Sequence, residues 1–482
     1  MTNEPSLYKK AEDNACALRK RFADSFDLAF RLLEIGGKPA AAVYLDGMCD
    51  EMKITESVIK PLTDEKNFSL FQSREQAIRH TAYKGLSISE IGSLEDAVAA
   101  VTGGNLALFL DCGKTAFTFS MQGFPKKNVS EPQAEMNERG SGESFCDNYK
   151  DNAALLRRRL KTPALAIEHT VIGRTSHTDI LICYLTDRAD PAMLHKIKRR
   201  LQRTGLDTLP GSGCLKPFLA GGSPALFSDT GFTERPDMLA AKLSEGRIGI
   251  IADGSPFALI VPYLFIDYFH SLDDYMSSPV YALFIRGLRL ICFFVSAALP
   301  GMFVATCNFH PEVLPPNIML DIAAAETKTP FSLMFEALAI HLIYEIVREA
   351  SLRMPVAVGS AVSIVGALVV GDAAVTAGLI AAPMLMVVAL TAISSAVVSK
   401  LHESVALIRF GMIVLGGLTG FFGIFAAAGL ILADLCGAGA FGVPFSAPFS
   451  PWIEKEQSDA IRRDSWIKLA HRRQSVKELI RR

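Results

Sequence analysis

Apolar residues are distributed in two different ways along this chain. Over roughly the first 280 positions they come in short runs broken by charges, whereas beyond Leu290 they form long stretches with almost none. Met354 to Ser399 is the extreme case, 46 residues with one ionisable side chain, Asp372. As a single helix it would be about 70 Å long, more than twice the roughly 30 Å apolar core of a bilayer, so it has to cross, turn and cross back. Ala381-Ala382-Pro383 is the expected turn, because proline lacks the backbone donor and pushes its predecessor out of the α region. Leu290–Thr306, with an expected kink at Pro300-Gly301, and Phe410–Ala433, with Gly416 and Gly420 at the GxxxG packing interval, are uncharged as well. The pattern predicts four spans, at about 283–309, 355–380, 383–401 and 407–435.

Two amphipathic stretches accompany them. Thr329-Pro330 makes an N-cap and N1 pair for a helix over 330–353, with His341, Glu345, Arg348 and Glu349 on one side and Leu338, Leu342 and Ile346 on the other. Its charge density predicts an interfacial or protein-buried position, with a fifth span or a re-entrant element left open. Pro262 to Tyr275, rich in Tyr263, Phe265, Tyr268 and Phe269, reads as a segment lying in the membrane interface.

The N-terminal portion alternates strands with helices. Ala40–Leu45 is strand-like and ends at the turn signal Asp46-Gly47, a helix begins near Ile54, and a helix at Ser93–Thr102 precedes a strand at Leu106–Asp111. After a polar connector the pattern resumes: a helix at Phe145–Lys161, a strand at Ile180–Leu185, a basic helix at Ala192–Thr204 and a hairpin turning at Asp253-Gly254-Ser255. The predicted fold is therefore an α+β soluble N-terminal region of two α/β-type subdomains (1–120 and 121–262), then a polytopic α-helical membrane domain (263–450) and a basic tail (451–482).

Charge sets the expected topology. The net charge of −1 conceals a tail in which eight basic residues from Arg462 to Arg482 face two acids, Asp464 and Glu478. The positive-inside bias puts that tail in the cytoplasm, where anionic lipid is a better partner for it than nucleic acid. Charges interrupt any apolar run at the N-terminus, so the soluble part is expected inside too, which requires an even number of crossings. The nine cysteines are scattered and form no CxxC pair, which predicts reduced thiols without a metal framework. No P-loop, GxSxG, HExxH or strand-borne GxGxxG is present; neither an enzyme nor a cofactor site is expected.

Several composite motifs remain. They are Asn152 through Arg157-Arg158-Arg159-Leu160-Lys161; Thr233-Glu234-Arg235-Pro236-Asp237, then Leu243-Ser244-Glu245-Gly246-Arg247 and Asp253-Gly254-Ser255-Pro256; and Asp273-Asp274-Tyr275 ahead of Arg286-Gly287-Leu288-Arg289. Further on come Phe309-His310-Pro311-Glu312, Pro330-Phe331 through Arg348-Glu349-Ala350, Gly366 through Gly371-Asp372-Ala373-Ala374, and Phe441-Gly442-Val443-Pro444. In this order the set resembles the spore germinant-receptor A-subunit family of the GerA type, over roughly residues 40 to 465. Ser141, Cys146-Asp147 and Phe445 depart from the family's usual residues.

Read physically, Arg235 and Asp237 flank a proline and are expected to form a rigid ion-paired corner, with direct ligand contact as the alternative. Arg157 to Arg159 cannot share one helix face, so a solvated or interdomain salt-bridge role is expected, with an anion site as the alternative. Arg286 and Arg289 are expected to snorkel at the end of the first span. With Arg157, Arg158, Glu234, Glu345, Arg348 and Glu349 these make a candidate structural and coupling set.

The resemblance implies a subunit in the inner membrane of a bacterial endospore, its soluble domain on the core side, working with a permease-like germinant-binding subunit and a lipoprotein subunit. It also implies oligomerisation and release of cations when germinant binds. The small-residue segment then supplies candidate pore or gating positions, Ser360, Ser363, Gly366, Asp372 and Thr376. A membrane sensor or scaffold that conducts nothing and couples to a separate transporter is the alternative.

Overall fold

The computed structural model describes residues 7–64, 74–81, 87–113, 115–123, 135, 140–220, 226–354, 371–453, 457, 459–460, 463–467 and 476–479. Two five-stranded sheets, each wholly antiparallel, come first. The first comprises β1 (Leu28–Ile35), β2 (Lys38–Leu45), β3 (Ile88–Ile91), β4 (Asn105–Leu110) and β5 (Ala116–Ser120), in the order β1-β2-β4-β5-β3. The second comprises β6 (Leu165–Ile172), β7 (Thr178–Leu185), β8 (Gly231–Thr233), β9 (Ile248–Ala252) and β10 (Ala258–Val261), in the order β6-β7-β9-β10-β8. Counted from its own first strand, the second sheet repeats the order of the first. The α+β character read from the sequence is thus present twice.

The hairpin β1–β2 closes on Gly36 and Gly37, whose φ values of 56° and 71° suit a tight turn that matches strand twist. Strand alternation then divides each sheet between two cores. Ala41, Val43, Leu45, Ala107 and Phe109 pack under α1 (Ala11–Arg21) and α2 (Leu94–Thr102), while Ala40, Ala42, Tyr44, Leu106 and Leu108 face the helical run 51–63 on the other side. In the second unit α3 (Tyr149–Arg159) and α5 (Pro236–Ser244) take the places of α1 and α2, and α4 (Pro191–Gln202) covers the opposite face. That opposite face does not end at the sheet. Its apolar cluster runs on from Ile250 and Leu259 through Phe293 and Ala297 to Val405, Met412 and Ile424 in the helices that follow.

Those helices are α6 (Pro279–Phe309), α7 (Pro316–Glu326), α8 (Leu333–Arg353), α9 (Ala382–Val397), α10 (His402–Thr419) and α11 (Phe421–Gly437). Several expectations change. α6 passes through Pro300 as one helix, and Gly301 lets the backbone of α10 approach so closely that a methyl group there would strike Met412. Gly416 makes the reciprocal approach to Gly301, but Gly420 does not extend a GxxxG face: at φ 66° it ends α10 and starts α11, so the span expected at 407–435 is two helices. The turn after residue 376 lies at 377–380, and Pro383 sits in the first turn of α9, where its missing donor costs nothing. Ser332, not Thr329, occupies the N-cap position of α8. The helix α7 had no counterpart in the sequence reading. Residues 355–370, which include the small-residue segment, lie outside the described residues.

The two sheet units are clasped by one buried ion pair. Arg157 on α3 donates through Nε to Asp27 at 2.6 Å and through Nη2 to the second Asp27 oxygen at 2.9 Å, while Ser25 accepts from Arg157 at 2.8 Å and from the Ile167 amide at 2.9 Å. Both charged side chains are almost wholly buried. Breaking such a pair strands the survivor without water. Asp27→Ala in the full chain is expected to cost about 3–5 kcal/mol, and Asp27→Leu with Arg157→Met to recover most of it. Denaturant unfolding followed by circular dichroism measures both; equal losses for the single and double variants would refute the account.

Candidate functional site

The chain between the second sheet and α6 folds inward. Phe265 packs against Phe227, Phe269, Phe293 and Phe445 with ring centroids 5.2 to 6.0 Å apart, and Tyr263 and Phe269 are buried. The interfacial position expected for 262–275 is therefore not adopted: these rings form a core that joins the sheet to the first long helix. Phe445, a departure from the family pattern, sits inside that core, where a hydroxyl would need a partner.

Asp267 pins the linker. It accepts from Lys242 at 2.8 Å, from the Leu264 amide at 2.9 Å and from Arg247, which also donates to Pro262 O at 3.0 Å. Burial alone would raise the Asp267 pKa, but the charges of Arg247 and Lys242 outweigh it and hold the carboxyl far below its ordinary range.

The next cluster joins three parts of the chain. Asp274 accepts from Arg289 at 2.7 Å and from Arg286 Nε at 3.2 Å; Arg286 Nη1 reaches Asp459 at 3.0 Å and Ala460 O at 2.9 Å; and Tyr275 donates to Asp459 at 2.7 Å. Arg463 is buried as well and donates to the carbonyls of Asp274, Tyr275 and Ser277. Arg286 is 2% exposed, so it does not snorkel toward lipid: two carboxylates and two carbonyls hold it inside the protein. The tail is likewise more than a topological signal. Through Asp459, Arg463 and the Val476 amide, which donates to Glu245 O at 2.8 Å, it straps the start of α6 to the second sheet unit. Burial raises the pKa of Asp459, whereas at Asp274 the guanidinium of Arg289 overcomes burial and lowers it.

A third cluster lies among the helices. Glu345 on α8 accepts from Arg409 at 3.2 Å and contacts His402 at 3.1 Å, with Arg348 at 3.8 Å. His341 and Arg409 are fully buried, while Leu342 and Ile346 on the opposite side of α8 are 55% and 59% exposed. The side of this helix that carries Glu336, His341 and Glu345 faces protein together with Leu333, Ala337 and Ile340, while Leu342 and Ile346 face outward and Glu349 and Arg353 are exposed near its end.

The remaining candidates are placed as follows. Arg235 pairs with Asp237 through two contacts of 3.1 and 2.7 Å, the corner the sequence implied. Arg158 and Arg159 both bind Glu143, at 2.8 and 2.7 Å, leaving the interdomain contact to Arg157. Glu234 is buried and its carbonyl accepts from the Phe145 amide at 2.7 Å. Glu349 pairs with Arg353 on an exposed turn at 2.6 Å. Asp372 and Thr376, one helical turn apart in the helical stretch 371–376, are both exposed, and neither meets the coupling clusters. Ser360, Ser363 and Gly366 lie outside the described residues. Sequence reasoning missed Asp27, Lys242, Asp267, Asp459, Arg463, His402 and Arg409. Asp267 was detectable as the one acid inside an aromatic run, and Arg409 as a cation abutting an uncharged one.

Comparison with known proteins fixes the relationship. The family model described as Bacillus/Clostridium GerA spore germination protein matches residues 16–475. This chain belongs to the GerA family. It is 34% identical over 477 residues to spore germination protein KA of Bacillus subtilis (strain 168), covering 98% of this chain and 87% of that protein. It is 33% identical over 456 residues to the membrane protein YfkQ of the same strain, covering 92% and 87%, and 28% identical over 446 residues to spore germination protein GerLA of Bacillus cereus, covering 91% and 90%. The crystal structure of the N-terminal domain of the A subunit of the Bacillus megaterium spore germinant receptor GerK3 aligns with 55% of this chain and 98% of its own, at 27% identity and a TM-score of 0.45. As a GerA-family member the chain has a role in spore germination.

His270 gives the junction of this GerA-family chain a measurable signature. Its Nε2 bonds Ala460 O at 2.7 Å, and burial together with the nearby charge of Arg286 pushes its pKa down to about 3. The unfolded chain takes up this proton near pH 6.5 and the folded chain does not, so below pH 6.5 the unfolded state binds more protons and stability falls as pH falls. Between about pH 6 and 4 this group contributes a slope of about 1.4 kcal/mol per pH unit. Unfolding free energies at pH 7, 6 and 5 should show that slope reduced by one proton in His270→Gln, and an unaltered slope would count against the buried neutral ring.

Proposed function

We propose that this chain is the membrane subunit of a nutrient germinant receptor in the inner membrane of the endospore, and that several copies assemble into a germinant-gated cation channel. A permease-like germinant-binding subunit and a lipoprotein subunit complete the receptor. The observation that carries the membrane part is the exposure of large apolar side chains along the helices. α6 (Pro279–Phe309, mean hydropathy 2.1) and the stretch Ser399–Thr419 (1.4) are long and apolar enough to cross a bilayer. Their outward faces, with those of α8, α9 and α11, carry Phe284, Ile291, Phe294, Leu342, Met386, Leu407, Phe422 and Leu430. An apolar surface this extensive is uncommon on a soluble monomer and suits lipid or a neighbouring copy.

The strap bears on topology. The tail binds Asp274, Tyr275 and Glu245 beside the second sheet, which supports tail and sheets on one side of the membrane and an even number of crossings, and the basic residues of the tail favour the core side for both. Assembly and conduction draw support from Asp372 and Thr376. They are exposed in the single chain, within an otherwise apolar stretch of sequence, where an ionisable group is costly unless a neighbouring copy or water meets it.

Asp372→Asn keeps the size and hydrogen bonding of the side chain and removes its charge. It is expected to accumulate normally yet slow germinant-triggered potassium release by about tenfold, with Asp372→Glu milder. Protein abundance and potassium efflux from spores carrying each variant test this, together with ion flux through liposomes containing the purified receptor. Normal release by the Asn variant at normal abundance would remove Asp372 from the conduction path, and liposomes that stay tight under all conditions would refute the channel.

A further inference from the structure

A cavity of about 290 Å³ lies where the second sheet unit meets the helices, between the N-terminal end of α5, the linker 268–273, α6 and the turn from α9 to α10. This is close to the lower limit for small-molecule pockets. Three cations from three different elements line it, Arg235 before α5, Arg289 on α6 and Lys400 between α9 and α10, against two acids, Glu135 and Asp273. Asp237 and Asp274, which hold the two guanidiniums, do not line the cavity.

Donors are left over. Arg235 is 3% exposed and uses Nε and Nη2 on Asp237, while Arg289 uses Nη1 on Asp274 and the Phe269 carbonyl. Arg235 Nη1 and Arg289 Nε and Nη2 therefore have no hydrogen-bond partner among the described residues. Glu135, by contrast, is saturated by Lys400, the Thr233 hydroxyl and the Glu234 amide. Free, planar guanidinium donors from two arginines, with the Lys400 ammonium beside them, match an oxyanion.

One wall shows where such an anion comes from. Val397 lines the cavity and also ends an exposed apolar stripe on α9, Met386, Leu390, Ile393 and Val397, spaced to lie along one side of the helix. The polar cavity thus opens at the end of a surface suited to acyl chains. We propose that it holds the phosphodiester head of an anionic phospholipid whose chains run along α9, so that lipid bridges the sheet unit, the first helix and the α9–α10 turn. This rests on the membrane reading above.

Native mass spectrometry of the detergent-purified full chain tests it, with phosphatidylglycerol, phosphatidylcholine or inorganic phosphate added separately. One phosphatidylglycerol per chain should be retained, with about fivefold preference over phosphatidylcholine, the factor that about 1 kcal/mol per basic group near an anionic head produces. Glu135→Gln adds a net positive charge and should strengthen retention, Lys400→Gln should weaken it, and Met238→Trp, which fills the cavity, should abolish it. General damage to the fold would weaken all three, so the opposite response of Glu135→Gln is the decisive arm. Equal retention of the two lipids, unchanged retention in Met238→Trp, or a phosphate adduct without a lipid adduct would each overturn the proposal. Failure of the chain to insert into vesicles at all would instead overturn the membrane reading, and the two failures are thereby distinguished.

Discussion

The burial of Arg286 is the constraint on which the rest of this architecture depends. A guanidinium removed from water needs carboxylates and carbonyls around it, and here they come from distant parts of the chain: Asp274 just before α6, and Asp459 and the Ala460 carbonyl from the tail. Satisfying that one charge fixes the start of the first long helix, folds the tail back over it and brings both against the second sheet. Arg289, Arg463 and Tyr275 then complete the cluster. A movement of α6 away from the linker or the tail would strand at least one of these charges.

The same logic recurs at each joint of the molecule. Arg157 and Asp27 clasp the two sheet units, Asp267 with Lys242 and Arg247 sets the linker, and Glu345 with His402 and Arg409 ties α8 to α10. Such pairs add little net stability over apolar packing, but they are unforgiving of misalignment. Chains of ionic joints separated by rigid elements suit a protein that relays a displacement from one end to the other. The continuous apolar cluster from β9 to α11 supplies the stiffness between them.

Repetition of strand order in the two sheets shows why the first unit resists functional reading. Each unit solves the same packing problem, with helices on both faces of an antiparallel sheet, and its side chains are spent on the two cores that result. What distinguishes the second unit is that one face is shared with the helices. Its motifs, Arg235 to Asp237 and Leu243 to Arg247, mark the two ends of α5 on the other face, and Arg247 reaches the linker to the helices through Asp267.

By itself the sequence determined the local and compositional features: alternating strands in the first half, apolar helices in the second, the helix over most of 330–353 and the ion-paired corner at Pro236. These follow from periodicity and neighbouring residues, and a linear reading is enough to find them. Tertiary structure alone decided the partners of the buried charges. Nothing near Arg286 in sequence announces Asp459, 173 positions away, and nothing in the tail distinguishes the buried Arg463 from the basic residues around it. Tertiary packing also turned Gly420 from a packing residue into a helix break and drew an aromatic segment inward from an expected interface. The physical reason is common to all of these. Periodicity records which face of an element is apolar, whereas the environment that face meets, whether lipid, sheet or a distant carboxylate, is set only when the elements assemble.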